Sequence, residues 1–439
     1  MAVGFRNPSI TAWITPLIYA AGALIVGFTV PRFAYTLLPG YTSTVSVNAA
    51  IGIYSAVASG MITLTGIVFS LTFVMVQFSA TAYSPRLVLW MARDPVVLHS
   101  MGVFTATFLY AIAALAWVDR SGSGRVPLAG TALVTVLLIV SVIMFIILIQ
   151  RVGMLQINRM LTFTAEQGRR VIETLYPPID TPPDQPSAET STQPSLLILL
   201  HRGEPRFIQE VDIPALVKIA TNNGFTIELL ASVGDAALDS VPILRILGTG
   251  APVGEDNLRS AIRLGAERTF SQDPKYAIRL LVDIAIKALS PAINDPTTAV
   301  QTLDQIEDLL MRLGRRRLEI GAFRDAGGNL RLLMSFPSWD DFLRLSLDEI
   351  RFYGATSIQV MRRMKALVNE LILVLPKERR PALKQWQDRL QATVDRSFPD
   401  WLDKLEASGE DRQGLGIPRK EGSPNREADS DNVLPWFQG

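Results

Sequence analysis

The chain has 439 residues and a mean hydropathy of +0.26, too apolar for an ordinary soluble protein, while its 19% charged residues are too many for a chain held in lipid throughout. A net charge of +1 excludes the concentrated basic excess on which nucleic-acid binding depends. The absence of cysteine excludes disulfides and thiolate chemistry, and the two histidines, His99 and His201, are too few for a His-based metal centre, so no metal and no other cofactor is expected.

Four apolar runs fill the first 150 residues: 10–38, 51–79, 95–118 and 128–150. Each reaches the ~20 residues needed to cross a ~30 Å hydrocarbon core, where a helix satisfies every backbone group internally. The first run continues well past the ~7–15 apolar residues of a secretory signal and so reads as a span. Orientation follows from Lys and Arg in the short loops. The loop 39–50 has none, the next carries Arg86 and Arg93, and the segment after the fourth run carries Arg151, Arg159, Arg169 and Arg170. Arg120 and Arg125 in the third loop weaken this contrast without reversing it, and both termini are placed in the cytoplasm.

Residues 151–176 read as an amphipathic basic connector, and 177–195, rich in Pro, Ser and Thr, as a linker that cannot bury a core. A small mixed α/β subdomain follows over 196–253, with β-type runs at 196–200, 225–230 and 241–247 around a helix at 214–222. From 254 to 406 the pattern is helical, with apolar three- and four-residue spacing over 276–289, 297–313, 339–352, 356–374 and 380–397, interrupted by one β-type run at 329–335. Residues 407–439 have no period and read as a disordered tail. The expected fold class is therefore a membrane α-helical domain of four transmembrane helices over 1–150, plus a cytoplasmic α+β domain that is mainly helical.

The second apolar run carries the most specific pattern. Ser55, Ser59, Thr63, Gly66, Ser70, Gln77 and Thr81 recur at three-, four- and seven-residue spacing and so share one helical face. Such a face either packs closely against another helix or lines a hydrated path. No Asp, Glu, Lys or Arg lies in the middle of any run, which disfavours proton relays and ion-coupled transport and leaves passive conduction open. Arg86 and Arg93 fall at the cytoplasmic mouth, next to the helix-start pairs Ser84-Pro85 and Asp94-Pro95. They hold head groups or ring an ion path, or simply mark topology.

In the soluble part the string 288–299, ALSPAINDPTTA, reads as a helix stop and restart, with Asn294 or Asp295 as cap and Pro296 in the first turn. Asn294, Asp295 and Thr297 are also ligand-binding candidates, since a helix start offers N–H groups to an anion and Asp295 a carboxylate to a cation. The string 268–274, RTFSQDP, repeats this chemistry; Arg268, Asp273 and Asp283 either converge with it on a ligand or form a structural salt-bridge network. His99 and His201 lack ligand-type neighbours and read as ordinary packed or surface residues.

The runs 60–72 (GMITLTGIVFSLT), 78–87 with its Ser84-Pro85-Arg86-Leu87, and Thr107-Phe108-Leu109-Tyr110, together with the strings 268–273 and 288–299, resemble a bacterial predicted-membrane-protein family, domain of unknown function 2254. The resemblance covers roughly residues 10–315 and implies a bacterial inner membrane. Two departures stand out: apolar residues 145–148 occupy the place of a paired-histidine element, and 234–242 is a worn version of the family's small β-rich subdomain. The resulting expectation is a homo-oligomeric ion channel or channel-like pore, with the lipid bilayer and further copies of itself as partners, inorganic ions as the candidate cargo, and no catalytic residues. The alternatives are a membrane-anchored sensor or scaffold and an enzyme using Asp273, Asp283 and Asp295. A pore turns the Ser/Thr face outward to a shared axis, a scaffold packs it within its own bundle, and an enzyme gathers the aspartates.

Overall fold

A computed structural model describes residues 8–37, 45–82, 95–119, 124, 126, 128–152, 157–182, 194–249 and 253–416. It divides into two compact units, residues 1–160 and 161–439.

The first unit contains four helices long and apolar enough to cross a membrane. They are α1 (Pro8–Leu37), α2 (Val47–Ala82), α3 (Pro95–Leu115) and α4 (Leu128–Val152). Helix α3 is the centre of the bundle: 56% of its apolar window is buried, against 17–22% in the other three. The reason is the side-chain sizes along it. Gly102 admits the ring of Tyr19 from α1, since a Cβ there would lie 2.6 Å from that ring, and Gly27 of α1 admits Ala113 in the same way. Phe104, Tyr110 and Ala111 are fully buried. Hydroxyl pairs join the helices, Thr107 Oγ1 to Ser141 Oγ at 2.9 Å and Tyr54 Oη to Thr131 Oγ1 at 2.8 Å. The outer surface is apolar, with Leu17, Phe28, Phe69, Phe73 and Ile146 all more than half exposed.

In the second unit, helix α5 (Ile157–Leu175), most of which belongs here, occupies the expected basic connector. It is amphipathic, but its apolar face is covered by protein. Leu161, Ala165 and Ile172 are buried, and Gly168 lies against Ala277 of α8 (Pro274–Ala288) and Leu309 of α9 (Pro296–Gly314). Arg169 pairs with Asp308 at 2.8 Å, and Arg312 pairs with Glu173. The start of the stretch expected to be a linker is likewise fixed: Pro178 bridges Arg316, and Ile179 N donates to Arg315 O at 3.1 Å. Residues 183–193 of that stretch lie outside the described residues.

Two sheets follow. The first has five strands in the order β1-β5-β3-β8-β7, where β1 is Ser195–Leu200, β3 Thr226–Leu229, β5 Pro242–Leu247, β7 Ala322–Arg324 and β8 Leu330–Leu333. Its strands pair antiparallel except β3 with β8, where Ile227 is opposite Leu332. Helix α6 (Ile213–Asn223) is capped by Asp212 at its start and by left-handed Gly224 at its end, and its Leu216 and Ala220 share a core with Ile227, Leu244 and Leu332. The second sheet, β4-β2-β6, is antiparallel, with β2 at Arg206–Val211, β4 at Ala236–Ala237 and β6 at Ile262–Gly265.

These sheets correct the expected division at 253/254. Strands β6 and β7 come from stretches not read as β-type, β8 is the β-type run expected at 329–335, and β7 and β8 complete a sheet that begins far upstream at Ser195. A short helix, α7 (Glu255–Ser260), precedes β6. The remaining helices lie within a few residues of where the apolar spacing places them: α8, α9, α10 (Trp339–Tyr353), α11 (Ile358–Val374) and α12 (Arg380–Ser397). Ile278, Leu281, Leu303, Ile306, Phe342, Leu347, Met364 and Leu367 are fully buried among them.

Residues 407–416, expected to be structureless, are ordered. Helix α13 (Trp401–Ser408) and residues up to Gly416 fold back on α11, with Asp411 buried and its carboxylate accepting from Gly414 N at 2.8 Å and Gly416 N at 2.6 Å. Residues 417–439 lie outside the described residues.

Candidate functional site

Helix α2 has two unlike sides. Tyr54, Val57, Ala58, Met61 and Val68 face the bundle and are buried. Ser55, Ser59, Thr63, Gly66, Ser70 and Gln77 lie on the opposite side and are all exposed. The stripe therefore does not pack within its own bundle. Thr81 belongs to α2 but its side chain, like Arg86 and Arg93, lies outside the described residues.

Along the stripe, Thr63, Gly66, Ile67, Ser70, Leu71 and Val74 line an open groove of about 590 Å³. Thr63 Oγ1 donates to Ser59 O at 2.9 Å, so this hydroxyl is satisfied by the helix itself and can face an apolar neighbour without loss. A Cβ on Gly52, Gly60 or Gly66 would meet nothing within 4 Å. The glycines of α2 thus leave room that the chain's own helices do not use, in contrast to Gly27 and Gly102.

The candidates in the second unit fall into separate arrangements. Arg268 stacks its guanidinium 5.3 Å over the Phe207 ring. Asp283 pairs with Arg279, which also holds Glu349 of α10, making a bridge between helices. Asp295 caps α9, one oxygen accepting from Thr298 N at 3.1 Å and the other from Thr298 Oγ1 at 2.6 Å. Asn294 takes the left-handed conformation, φ 49°, at the corner between α8 and α9, and Thr297 is exposed in the first turn of α9. The ALSPAINDPTTA string is thus consumed by the stop and restart it encodes.

Asp273 is different. It is 2% exposed at the start of α8, its side chain makes no cap bond, and its Oδ1 has no hydrogen-bond partner among the described residues. Burial pushes its carboxyl up to about 6, against the opposing pull of Lys275 and Arg268. Asp273 and Asp283 lie ten residues apart on one helix, about 15 Å along its axis, and have unrelated partners. Among the described residues no three His, Asp or Glu side chains gather as a metal site would require. His99 Nδ1 lies 3.2 Å from the Tyr19 hydroxyl in a hydrogen bond between α3 and α1, and buried His201 makes a local bond to Glu204 O at 2.8 Å.

Sequence reading missed Tyr176 and Gly234, which contact or face Asp273, and the buried Arg363. Only Gly234-Asp235 left a signal, as a turn dipeptide.

No solved structure matches the chain. Uncharacterized proteins of Mycobacterium bovis and Mycobacterium tuberculosis are each 27% identical to it over 427 residues, which cover 94% of this chain and 81% of the relative. Residues 10–370 match the family described as "Predicted membrane protein (DUF2254)", a stretch holding the four apolar helices, both sheets and the helical core, and the chain belongs to that family.

Proposed function

We propose that this protein is a homo-oligomeric channel or channel-like pore of a bacterial inner membrane, with α2 lining or bordering the path and both termini in the cytoplasm. The observation that carries the reading is the outward exposure of the stripe from Ser55 to Ser70, on the side of α2 opposite its buried residues. Lipid gives no reason to collect serine, threonine and glycine on one face, whereas close helix approach and a hydroxyl-lined path both do. A bundle of four helices packed around a largely buried α3 is a thin frame for a path of its own, so this reading builds the path between copies. The helical unit serves assembly or gating. The outward stripe favours this reading over a scaffold, which would cover the stripe within its own bundle.

The absence of native cysteine makes a clean test. Ser59→Cys and Ser70→Cys each introduce a unique thiol on the stripe, and Met61→Cys places one on the buried side. Oxidation in native membranes is expected to give cross-linked dimers from the first two only. Purified protein in planar bilayers is expected to give discrete currents that Ser59→Leu with Thr63→Leu and Ser70→Leu abolishes. Silent bilayers with cross-linking intact would leave an oligomer without conduction; loss of both would remove the reading altogether.

A further inference from the structure

The contact between the turn 232–235 and the start of α8 is closed around a buried acid. Asp273 Oδ2 lies against the α-carbon of Gly234, so closely that a Cβ there would overlap it, and Gly234 has φ +91°, open to glycine. Its other oxygen, Oδ1, is buried without a partner. The Tyr176 hydroxyl, from the residue following α5, is also buried without a partner and is close enough to feel the Asp273 charge, which raises its own ionisation range after the larger effect of burial.

The other charges around Asp273 are accounted for. Lys275 donates its Nζ to Val233 O at 3.1 Å, Arg268 lies over Phe207, and Asp235 accepts from Ser232 N at 2.8 Å. None of these is a direct ion pair to Asp273. Two further bonds fix the same junction, Gln272 Oε1 accepting from Val211 N at 2.9 Å and Gln272 Nε2 donating to Val211 O at 3.1 Å.

We propose that Asp273 is a proton-operated latch: its neutral acid form holds the turn 232–235 against the start of α8, and loss of the proton loosens that contact, making the soluble unit responsive to acidity. The physical cause is the cost of burying a charged carboxylate whose Oδ1 has no hydrogen-bond partner, a cost that the backbone N–H groups of Lys275 and Tyr276 offset only in part and that protonation removes. The inference concerns regulation and does not depend on the pore reading.

The sign follows from linkage. Burial raises the carboxyl from 3.8 to about 6 when the contact is closed, so the closed form binds the proton more tightly than an opened, solvated one. Opening is then disfavoured in acid, grows on the order of tenfold per pH unit between pH 4 and 6, and levels off above that.

Hydrogen–deuterium exchange of the full-length protein in detergent, followed by mass spectrometry from pH 4.5 to 7.5 and corrected for intrinsic exchange, reads this directly. Amides in 230–236 and 274–278 are expected to lose protection roughly twentyfold across the range, while those in α10 and α11 do not change. In Asp273→Asn the same amides are expected to be insensitive to pH. A wild-type profile that follows intrinsic exchange alone, or an Asp273→Asn profile that keeps the wild-type step, would overturn the proposal. Should the variant not fold, the wild-type profile decides: a step ending near pH 6 confined to these segments supports the latch, and its absence rejects it.

Discussion

At the level of single residues, the glycines distinguish used space from unused space. Gly102 is filled by Tyr19, so Gly102→Ala forces a ring to move within a packed bundle and is expected to lower stability by about 1–3 kcal/mol. Gly66→Ala meets open space and is expected to leave the unfolding of the isolated chain unchanged. Thermal melts in detergent, read alongside the cross-linking yield, separate the two effects: a melt lowered equally by both changes would mean that Gly66 is packed after all. Arg363 is a buried charge held between two acids. Its side chain is 4% exposed and pairs with Asp304 at 2.8 Å and with Glu307, which burial raises and Arg363 holds down. Arg363→Ala strands Glu307 and is expected to cost about 3 kcal/mol in chemical denaturation at neutral pH. Part of that cost should vanish in acid as Glu307 protonates. This burial is not legible in the sequence, because Arg362-Arg363 looks like a solvated pair until α9 and α13 supply their partner acids to α11.

Among the elements, the helices were legible and their partners were not. Three- and four-residue apolar spacing located α8 to α12, and the Asp-Pro pairs at 273–274 and 295–296 mark the starts of α8 and α9, while the start of α10 shows its cap only in the structure: Asp295 caps α9, and Ser338 with Asp341 forms a capping box on α10. Strand partners depend on residues far away in the chain, which is why the parallel pairing of β3 with β8 was invisible although the β-type character at 329–335 was not. The end of the strap 401–416, residues 407–416, departs from expectation for a related reason. Its polar composition suggested disorder, yet it is held by Lys365 Nζ to Ser408 O at 2.6 Å, by Gln359 Nε2 to Gly414 O at 2.6 Å, and by Arg362 with Glu406. Ending the chain at residue 399 should therefore expose Arg362 and lower the melting temperature by several degrees, measured by circular dichroism. An unchanged melt would show that the strap rests on α11 without stabilising it.

For the molecule as a whole, the sequence by itself determined that one end is lipid-like and the other water-like, because runs of about twenty uncharged apolar residues admit few other solutions. It also fixed the periodic stripe on α2, since residues three and four apart share a helical face whatever surrounds them. Only the tertiary structure decided which way that stripe turns, because a helix face is inside or outside only relative to its neighbours, and α3 took the central place through Gly102, Phe104 and Tyr110. It likewise decided that Asp273 is buried and unpartnered while Asp283 and Asp295 are engaged. The three look alike in the sequence, and what separates them is the solvent and the hydrogen-bond partners that folding leaves to each.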